Sequence, residues 1–358
     1  MSLSIGIVGL PNVGKSTLFN ALTDNDILAA NYPFATIEPN TGIVPVPDER
    51  LDVLQKMYNA EKVIPATVTF VDIAGLVAGA SKGEGLGNKF LANIRECDAI
   101  CHVVRAFADD NVVHVANRVH PADDIEIITT ELILADLQTI DARLPRITKD
   151  AKANPKLKDS ALYLQSLKEH LERGTPLHAL PSLDLDLIHD LHLLTVKPVI
   201  YVFNVDEATL SNEQSKADLL KLAADAKAVF ICAKLEEELR GLEPAEAQEL
   251  LAEYGQNEPG LFSLIKAAYQ TLGLQSYLTA GPKEVRAWTI KQGSTAPQAA
   301  GVIHSDFERG FIAAQVVSYP DLIAAGSELA AKNAGKMRLE GKTYIMQPDD
   351  VVEFRFNV

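Results

Sequence analysis

A glycine-rich segment near the start of the chain carries the strongest chemical pattern. Residues 9–16 read Gly-Leu-Pro-Asn-Val-Gly-Lys-Ser, which fits G-x-x-x-x-G-K-[ST]. Such a loop turns backbone N–H groups toward phosphates, and the N-terminus of the following helix adds partial positive charge. The lysine meets the β- and γ-phosphates, and the serine hydroxyl reaches Mg²⁺. The residues predicted to bind a nucleoside triphosphate here are Asn12, Val13, Gly14, Lys15, Ser16 and Thr17.

Two later segments are expected to complete a magnesium site. Asp72-Ile73-Ala74-Gly75 follows the apolar run Thr67–Val71, so Asp72 can bind Mg²⁺ through water and the Gly75 N–H can meet the γ-phosphate. Thr36 lies in the loop after the first helix, where its hydroxyl can close over Mg²⁺ while the γ-phosphate is present. Loss of that contact after hydrolysis would release the loop, which is how such proteins switch. The predicted metal ligands are Ser16, Thr36 and Asp72.

Short apolar runs alternate with helical stretches in the first part of the chain. Runs of this kind predict a parallel sheet covered on both faces, with ligands at the carboxyl ends of its strands. The predicted strands are Ile5–Val8, Thr67–Val71, Ala99–Val104, Pro198–Phe203 and Ala228–Cys232.

A charged helical stretch, Asp123–Leu171, separates the third and fourth of these strands. Apolar residues from Ile133 to Leu144 recur at coiled-coil spacing. Pro145 and the segment 153–155 interrupt this seam before it resumes. The pattern predicts an inserted two-helix hairpin with a polar tip near Lys149–Lys158. The alternative is two ordinary amphipathic helices packed on the domain.

The pattern changes again after Tyr277, where the runs become β-like with only short helical pieces between them. This predicts a separate α+β module of about 80 residues. Its predicted strands are Ala287–Ile290, Phe311–Val317, Lys342–Met346 and Val351–Phe356.

Charge and cysteine content limit the class of protein. The net charge of −15 over 358 residues argues against non-specific nucleic-acid binding by the whole surface. Basic and acidic residues balance from residue 278 onward, so RNA contact by that part meets less repulsion. An odd number of cysteines, Cys97, Cys101 and Cys232, suggests a reducing compartment and core packing rather than a zinc site. With no apolar run long enough to span a bilayer and no leader pattern, we expect a cytoplasmic protein.

Several segments together resemble the Obg-like translation-factor GTPases, and in detail the YchF subfamily, the Obg-like ATPases. They are Gly9–Thr17, Asn31–Asn40, Asp72–Gly75, Gly79–Asn88, Asn204–Glu207, Cys232–Glu236 and Gly281–Gln298. The resemblance implies an α/β fold, a doubly wound P-loop domain with an inserted coiled-coil hairpin and a C-terminal ubiquitin-like (β-grasp) TGS domain. The implied division is residues 1–127 and 197–277 for the nucleotide domain, 128–196 for the hairpin and 278–358 for the TGS domain.

The resemblance also implies partners. It predicts association with the ribosome, through the large subunit or the assembled particle. The balance of charge after residue 278 adds RNA contact by the TGS domain as an expectation. The resemblance further implies nucleotide contacts by Asn204, Val205, Glu207 and Cys232.

The segment Asn204-Val205-Asp206-Glu207 bears on which base is bound. GTPases of this class use N-K-x-D, whose Asp accepts hydrogen bonds from guanine N1–H and the 2-amino group. Here Val205 replaces the Lys and the longer Glu207 replaces the Asp. Adenine N1 is an acceptor and would repel a carboxylate, so Glu207 must turn aside if ATP binds. The resemblance implies a preference for ATP; the alternative is that Glu207 holds guanine in a shifted pose.

Hydrolysis is expected to be slow. Ras-like enzymes orient the attacking water with a Gln directly after D-x-x-G, and this chain has Leu76 there. The resemblance implies that His114 substitutes as a catalytic residue beside Lys15; the alternative is a histidine satisfied locally. Asn12 either helps hold an activating K⁺ or only shapes the loop.

Three functions remain open at the level of sequence. The first is a slow ATP-hydrolysing switch that engages the ribosome. The second is a GTPase of the same architecture. The third is a nucleotide-gated RNA- or ribosome-binding module in which hydrolysis is incidental.

Overall fold

The computed structural model describes residues 3–23, 40–73, 86–108 and 119–357. Its strands are β1 (Ser4–Val8), β2 (Thr41–Pro45), β3 (Lys62–Ile64), β4 (Thr67–Asp72), β5 (Ala99–Ala106), β6 (Val199–Val205), β7 (Lys227–Ile231), β8 (Leu274–Ala280), β9 (Glu284–Lys291), β10 (Phe311–Ser318), β11 (Arg338–Glu340) and β12 (Asp350–Phe356).

The helices of the described ranges are α1 (Lys15–Thr23), α2 (Glu49–Tyr58), α3 (Leu86–Glu96), α4 (Pro121–Ala153), α5 (Lys158–Glu172), α6 (Glu207–Leu210), α7 (Glu213–Ala223), α8 (Ala233–Glu238), α9 (Pro244–Glu253), α10 (Gly260–Thr271), α11 (Ala296–Ile303), α12 (Ser305–Arg309), α13 (Tyr319–Ala325) and α14 (Glu328–Asn333). Each helix in these ranges is too short or too polar to cross a lipid bilayer.

The described residues form two compact units. One contains residues 3–23, 40–42, 69–73, 86–108 and 119–272, and the other contains 43–68 and 273–357. The segment 43–68, expected in the nucleotide domain, lies in the second unit because β3 pairs with β9. The predicted boundaries at 127/128, 196/197 and 277/278 stay predictions.

The sheet of the first unit has the strand order β2-β4-β1-β5-β6-β7. Strands β4, β1, β5, β6 and β7 pair in parallel, which confirms the α/β prediction. β5 and β6 are buried over nearly their whole length, because helices cover both faces and solvent reaches neither. The carboxyl ends of β1, β4 and β6 therefore meet at one edge of the sheet.

Helices α4 and α5 form the predicted hairpin. Pro145 interrupts the apolar seam in the sequence, but it does not end the helix: α4 continues through it to Ala153. Ile140 and Ile147, on either side of the proline, share one buried apolar cluster with Leu164 of α5. A proline inside a helix costs about 3 kcal/mol, and burying each apolar side chain contributes about 1.5–3 kcal/mol, so packing outweighs the interruption.

A buried carboxylate closes the base of the hairpin. Asp136 of α4 is fully buried and accepts hydrogen bonds from the Leu194 N–H at 2.7 Å and the Thr195 N–H at 2.8 Å. The Thr195 hydroxyl donates a third at 2.7 Å. Burial raises the pKa of Asp136, and the three donors oppose that rise. These bonds join α4 to the segment that enters β6.

The second unit has a mixed sheet in the order β11-β10-β12-β8-β9-β3. Helix α11 packs on it through Ala296, Ala299 and Ala300, and the Tyr277 hydroxyl donates to the Ala299 carbonyl at 2.9 Å. This is the α+β arrangement that the sequence pattern predicts, and it agrees with the ubiquitin-like form that the resemblance implies. Strand β8, which begins at Leu274, was not predicted.

The predicted strand Lys342–Met346 is wrong. This segment is a loop whose Tyr344 carbonyl accepts from the Ala296 N–H, and whose Met346 N–H donates to the Ser294 carbonyl. Met346 is buried in the core of the unit. These two bonds form an isolated antiparallel bridge between Thr295 and Ile345, and no strand extends from it.

Candidate functional site

The glycine-rich loop connects β1 to α1, as the motif predicts. Gly14 has φ +100°, and a Cβ there would lie 2.5 Å from Asn204 Nδ2. A Cβ on Gly9 would lie 2.5 Å from the Val103 carbonyl oxygen. Both glycines are therefore required by close approach of neighbouring strands, and the loop folds tightly against the sheet edge.

Lys15 begins α1 and lies over the loop. Its side chain is 8% exposed, and Nζ donates to the Leu10 carbonyl at 2.7 Å. Burial lowers the pKa of Lys15, and the nearby Asp72 carboxylate partly offsets this. Phosphate oxygens would give this amine charged acceptors in place of a neutral carbonyl, so the site favours a polyanion.

Ser16 and Asp72 meet at the same edge. Ser16 Oγ lies 3.5 Å from Asp72 Oδ2, and the serine is exposed. A hydroxyl and a carboxylate fit Mg²⁺, which binds few protein oxygens and keeps water and phosphate ligands. Within the described ranges, no group of three His, Cys, Asp or Glu side chains could hold a metal alone. These two residues thus fit an ion that a nucleotide brings with it.

The other loop residues have different surroundings. Asn12 is exposed at φ +62°, a conformation that asparagine tolerates, so the backbone alone can account for this residue. Val13 is fully buried and Thr17 is exposed. The predicted residues that lie outside the described ranges are Thr36, Gly75, Leu76 and His114.

Asn204 ties the predicted base-binding segment to the phosphate loop. It is the next-to-last residue of β6, is buried, and donates from Nδ2 to the Val13 carbonyl at 3.1 Å. Val205 points the other way: it is 2% exposed and packs in an apolar cluster with Phe203 and Cys232. Any contact of Val205 or Cys232 with a nucleotide would therefore use the backbone. Burial also raises the pKa of the Cys232 thiol.

Glu207 has a cationic partner that the sequence analysis missed. Its Oε1 lies 2.5 Å from Nζ of Lys234, which follows β7 in the stretch beginning at Cys232. The ion pair raises the pKa of Lys234, chiefly through the hydrogen bond to Glu207. The carboxylate is thus engaged by this chain itself.

A cavity of about 470 Å³ lies beside these groups, a volume within the range of small-molecule sites. Gly14, Thr17, Asn204 and Lys234 line it, so it connects the phosphate loop to the segment expected to bind the base.

The cavity is also lined by a second residue that the sequence did not indicate. Glu236 lines it, is 7% exposed, and accepts from the Gly260 N–H at 2.6 Å. Burial raises its pKa to about 7, against opposing hydrogen bonds from Gly260 and Leu261. Leu235 beside it is buried as well. Two adjacent buried residues on a short helix do not show the spacing of three to four residues that identifies a buried helix face.

Comparison with known proteins agrees with this geometry. A family model described as "50S ribosome-binding GTPase" matches residues 4–142. A second, for the C-terminal domain of YchF GTPases and described as "Protein of unknown function (DUF933)", matches residues 274–357.

Full-length relatives match over both regions. The chain is 54% identical to the "Ribosome-binding ATPase YchF" of Bacillus subtilis and 52% identical to that of Escherichia coli O157:H7, each over 100% of both chains. The solved structure of the Schizosaccharomyces pombe YchF GTPase superposes with a TM-score of 0.88 at 37% identity, over 99% of this chain and 98% of that one. P-loop hydrolases of this kind generally use Mg²⁺. The chain therefore belongs to the YchF family and is a P-loop nucleoside triphosphatase.

Proposed function

We propose that this chain is a cytoplasmic ATP-binding switch that hydrolyses ATP slowly and associates with the ribosome. Two relatives that match its whole length at 54% and 52% identity are named ribosome-binding ATPases. The association would involve the large subunit or the assembled particle, with RNA contact by the predicted TGS domain, 278–358. That domain carries no net charge, whereas the excess negative charge lies before it.

The contact between Lys234 and Glu207 carries the assignment of ATP. Reading guanine requires a carboxylate free to accept from two base N–H groups. Here Glu207 Oε1 lies 2.5 Å from Lys234 Nζ, so the carboxylate already has a charged donor. Because Lys234 neutralises the Glu207 carboxylate, this group neither attracts the N–H groups of guanine nor repels adenine N1. Asn204 stays available at its Oδ1 as an acceptor for an adenine amino group, because only its Nδ2 donates to Val13.

The phosphate end follows from Lys15, Ser16 and Asp72. Lys15 would exchange the Leu10 carbonyl for β- and γ-phosphate oxygens. Ser16 and Asp72 would hold Mg²⁺, together with Thr36. When bound, Mg²⁺ neutralises charge that develops on the phosphates. Gly75 would add a backbone N–H toward the γ-phosphate.

Hydrolysis also needs a group that orients the attacking water. With Leu76 in place of Gln, we propose that His114 accepts a hydrogen bond from the attacking water. We keep K⁺ held beside Asn12 as a second source of rate enhancement; equal rates in K⁺ and Na⁺ buffers would exclude it.

Two alternatives remain. The Schizosaccharomyces pombe relative is named a GTPase, which favours guanine in the same architecture. Leu76 favours a nucleotide-gated binding module in which hydrolysis is incidental.

One set of measurements separates these alternatives. ATP and GTP compete against a fluorescent nucleotide analogue on the full chain, and ATP should bind at least as tightly. GTP binding tighter by about tenfold, or about 1.4 kcal/mol, would reject the ATP assignment. Co-sedimentation with purified ribosomes in ATP and in ADP should differ; equal pelleting identifies a constitutive binder, and no pelleting rejects the ribosome.

A further inference from the structure

A second cavity, of about 670 Å³, lies in the unit that contains residues 273–357. Every residue that lines it belongs to that unit, and it shares no lining residue with the cavity beside the phosphate loop. Its volume is within the range of ligand-binding sites. The nucleotide site therefore does not account for it.

Strand β12 extends beyond its neighbour β8 along this cavity. The two strands run parallel and pair at Val351 and Leu278. In that register Ala280, the last residue of β8, lies opposite Glu353, so the segment Phe354–Phe356 extends past the end of β8. One edge of this segment pairs with β10, and no strand of the described ranges covers the other edge.

The free edge of β12 carries backbone groups that can pair with another strand. At the two ends of β12, the Asp349 carbonyl accepts from the residue that follows β10, and the Asn357 N–H donates to the residue that precedes it. Successive residues of a strand direct their backbone N–H and C=O groups to opposite edges. Phe354 and Phe356 therefore direct theirs away from β10, toward the free edge. An unpaired edge of this kind can accept a further strand.

The side chains along the free edge differ between the two faces of the sheet. Ile303, Phe307 and Phe354 pack on the face that α11 covers. The Phe307 ring also stacks on Phe356, with 3.7 Å between the ring centroids. Glu353 precedes Phe354 in the strand, so it lies on the opposite face, where it is exposed. One face is therefore aromatic and apolar, and the other carries a carboxylate.

The cavity is acidic. The charged side chains that line it are those of Lys283, Glu284, Glu328 and Glu353. Glu284 lies 3.8 Å from a guanidinium nitrogen of Arg286. Glu328 and Glu353 are exposed and form no ion pair with another residue of the described ranges. These carboxylates repel phosphate groups and attract cationic side chains.

We propose that this cavity binds an extended peptide that adds a strand to the free edge of β12. Backbone groups of Phe354 and Phe356 supply main-chain hydrogen bonds, which give affinity in strand addition. Side chains of an extended peptide alternate between the two faces. The peptide therefore places apolar side chains on the aromatic face and arginine or lysine side chains beside Glu353 and Glu328.

A short segment is sufficient for this contact. The three residues from Phe354 to Phe356 span about 10 Å at about 3.3 Å per residue. A second copy of this chain is disfavoured as the occupant, because its own acidic edge would face the same carboxylates. The inference goes beyond the proposed function, since it involves neither the nucleotide nor the ribosome.

The test measures binding of a fluorescent peptide, Val-Arg-Val-Arg-Val with blocked ends, to the full chain by fluorescence anisotropy. The rearranged peptide Val-Val-Val-Arg-Arg has the same composition and charge but does not separate the two side-chain types onto opposite faces. It should bind at least about tenfold more weakly, because some cations would meet the aromatic face.

Backbone methylation tests strand addition separately from charge. One peptide carries N-methyl groups on its valines and another carries them on its arginines, so each lacks the N–H donors of one strand edge. One of the two should lose at least about tenfold in affinity, and the other should keep most of it. The peptide that loses affinity shows which edge pairs with β12.

Charge reversal tests the acidic face. The variant E328K/E353K should bind the alternating peptide at least about tenfold more weakly, because two attractions become repulsions. The matched control E249K/E253K makes the same charge change at exposed glutamates of α9, in the other unit. It should retain the wild-type affinity.

Several outcomes would overturn the inference. They are no saturable binding of the alternating peptide to the wild type, equal binding of the rearranged peptide, retained affinity in both N-methylated peptides, and equal losses in the two charge variants. A wild type that sediments as a dimer and does not bind the peptide would assign the edge to a second copy. Because the assay contains only the chain and the peptide, failure of the ATP or ribosome proposal leaves its result unchanged.

Discussion

Replacing Lys234 with Met should move base selectivity from adenine toward guanine. The substitution keeps the apolar stem of the side chain and removes only the ammonium group, 2.5 Å from Glu207 Oε1. Without that partner, Glu207 is free to turn toward the base. A free carboxylate attracts the N1–H and amino groups of guanine and repels adenine N1.

The expected size of this shift is modest. The side chains of Lys234 and Glu207 are 66% and 33% exposed, so solvent screens the pair. Exposed ion pairs change an equilibrium by about two- to fivefold. We expect the ratio of the ATP and GTP dissociation constants to change by about that factor, with ATP binding weakened and GTP binding strengthened.

A double-mutant cycle isolates the contact. The dissociation constants of ATP and GTP are measured by calorimetry for the wild type, Lys234→Met, Glu207→Gln and the double variant. In the Glu207→Gln background, Lys234→Met should leave the ratio unchanged, because no carboxylate is released. An unchanged ratio in Lys234→Met alone, or the same shift in both backgrounds, refutes the reasoning. If the wild type itself prefers GTP, the ATP assignment fails instead.

Three further predictions concern other residues. His114→Ala should keep nucleotide binding and lower single-turnover hydrolysis by about 10²-fold, and unchanged turnover would remove His114 from the site. Burial raises the pKa of Glu236 from 4.5 to about 7. At pH values between these two, the folded chain therefore keeps a proton on Glu236 that the unfolded chain has released. Wild-type stability in urea should therefore fall relative to Glu236→Gln as pH rises from about 4.5 to 7, by at most about 3 kcal/mol; parallel pH profiles would contradict this. Asp136→Ala leaves two buried backbone N–H groups without an acceptor and should cost about 2–4 kcal/mol of unfolding free energy, whereas exposed Asp141→Ala should cost less than about 1 kcal/mol. Equal losses of unfolding free energy in the two variants would refute the role of Asp136 in joining α4 to the segment that enters β6.

Local patterns in the sequence were sufficient for the five parallel strands of the sheet and for the phosphate loop, but not for β2 at the edge of the sheet. Strands such as β5 and β6 are buried on both faces, so they appear as continuous apolar runs. The phosphate loop is also local, since its glycines, Lys15 and Ser16 act within one turn. Asp72 could be placed because it directly follows the apolar run Thr67–Val71, and it is the last residue of β4.

Contacts between distant segments could not be predicted in this way. Lys234 meets Glu207 only because β7 lies beside β6, and Glu236 meets α10 through the same folding. The position of Val205 could have been foreseen: neighbouring strand residues face opposite sides, so Asn204 at the loop places Val205 in the core. The pairing of β3 with β9 joins segments far apart in sequence and left no local signal.

Because Asp136 anchors the base of α4, a rotation of the helix there moves the hairpin tip. Asp136 joins α4 to the segment that enters β6, and Asn204 near the end of β6 contacts the phosphate loop. Ala153 lies 17 residues beyond Asp136 in the same helix, a span of about 25 Å at 1.5 Å per residue. A rotation of α4 by about 10° at Asp136 would move the tip by about 4 Å at this radius. A small adjustment of β6 is therefore magnified into a displacement as large as a contact distance at the far end.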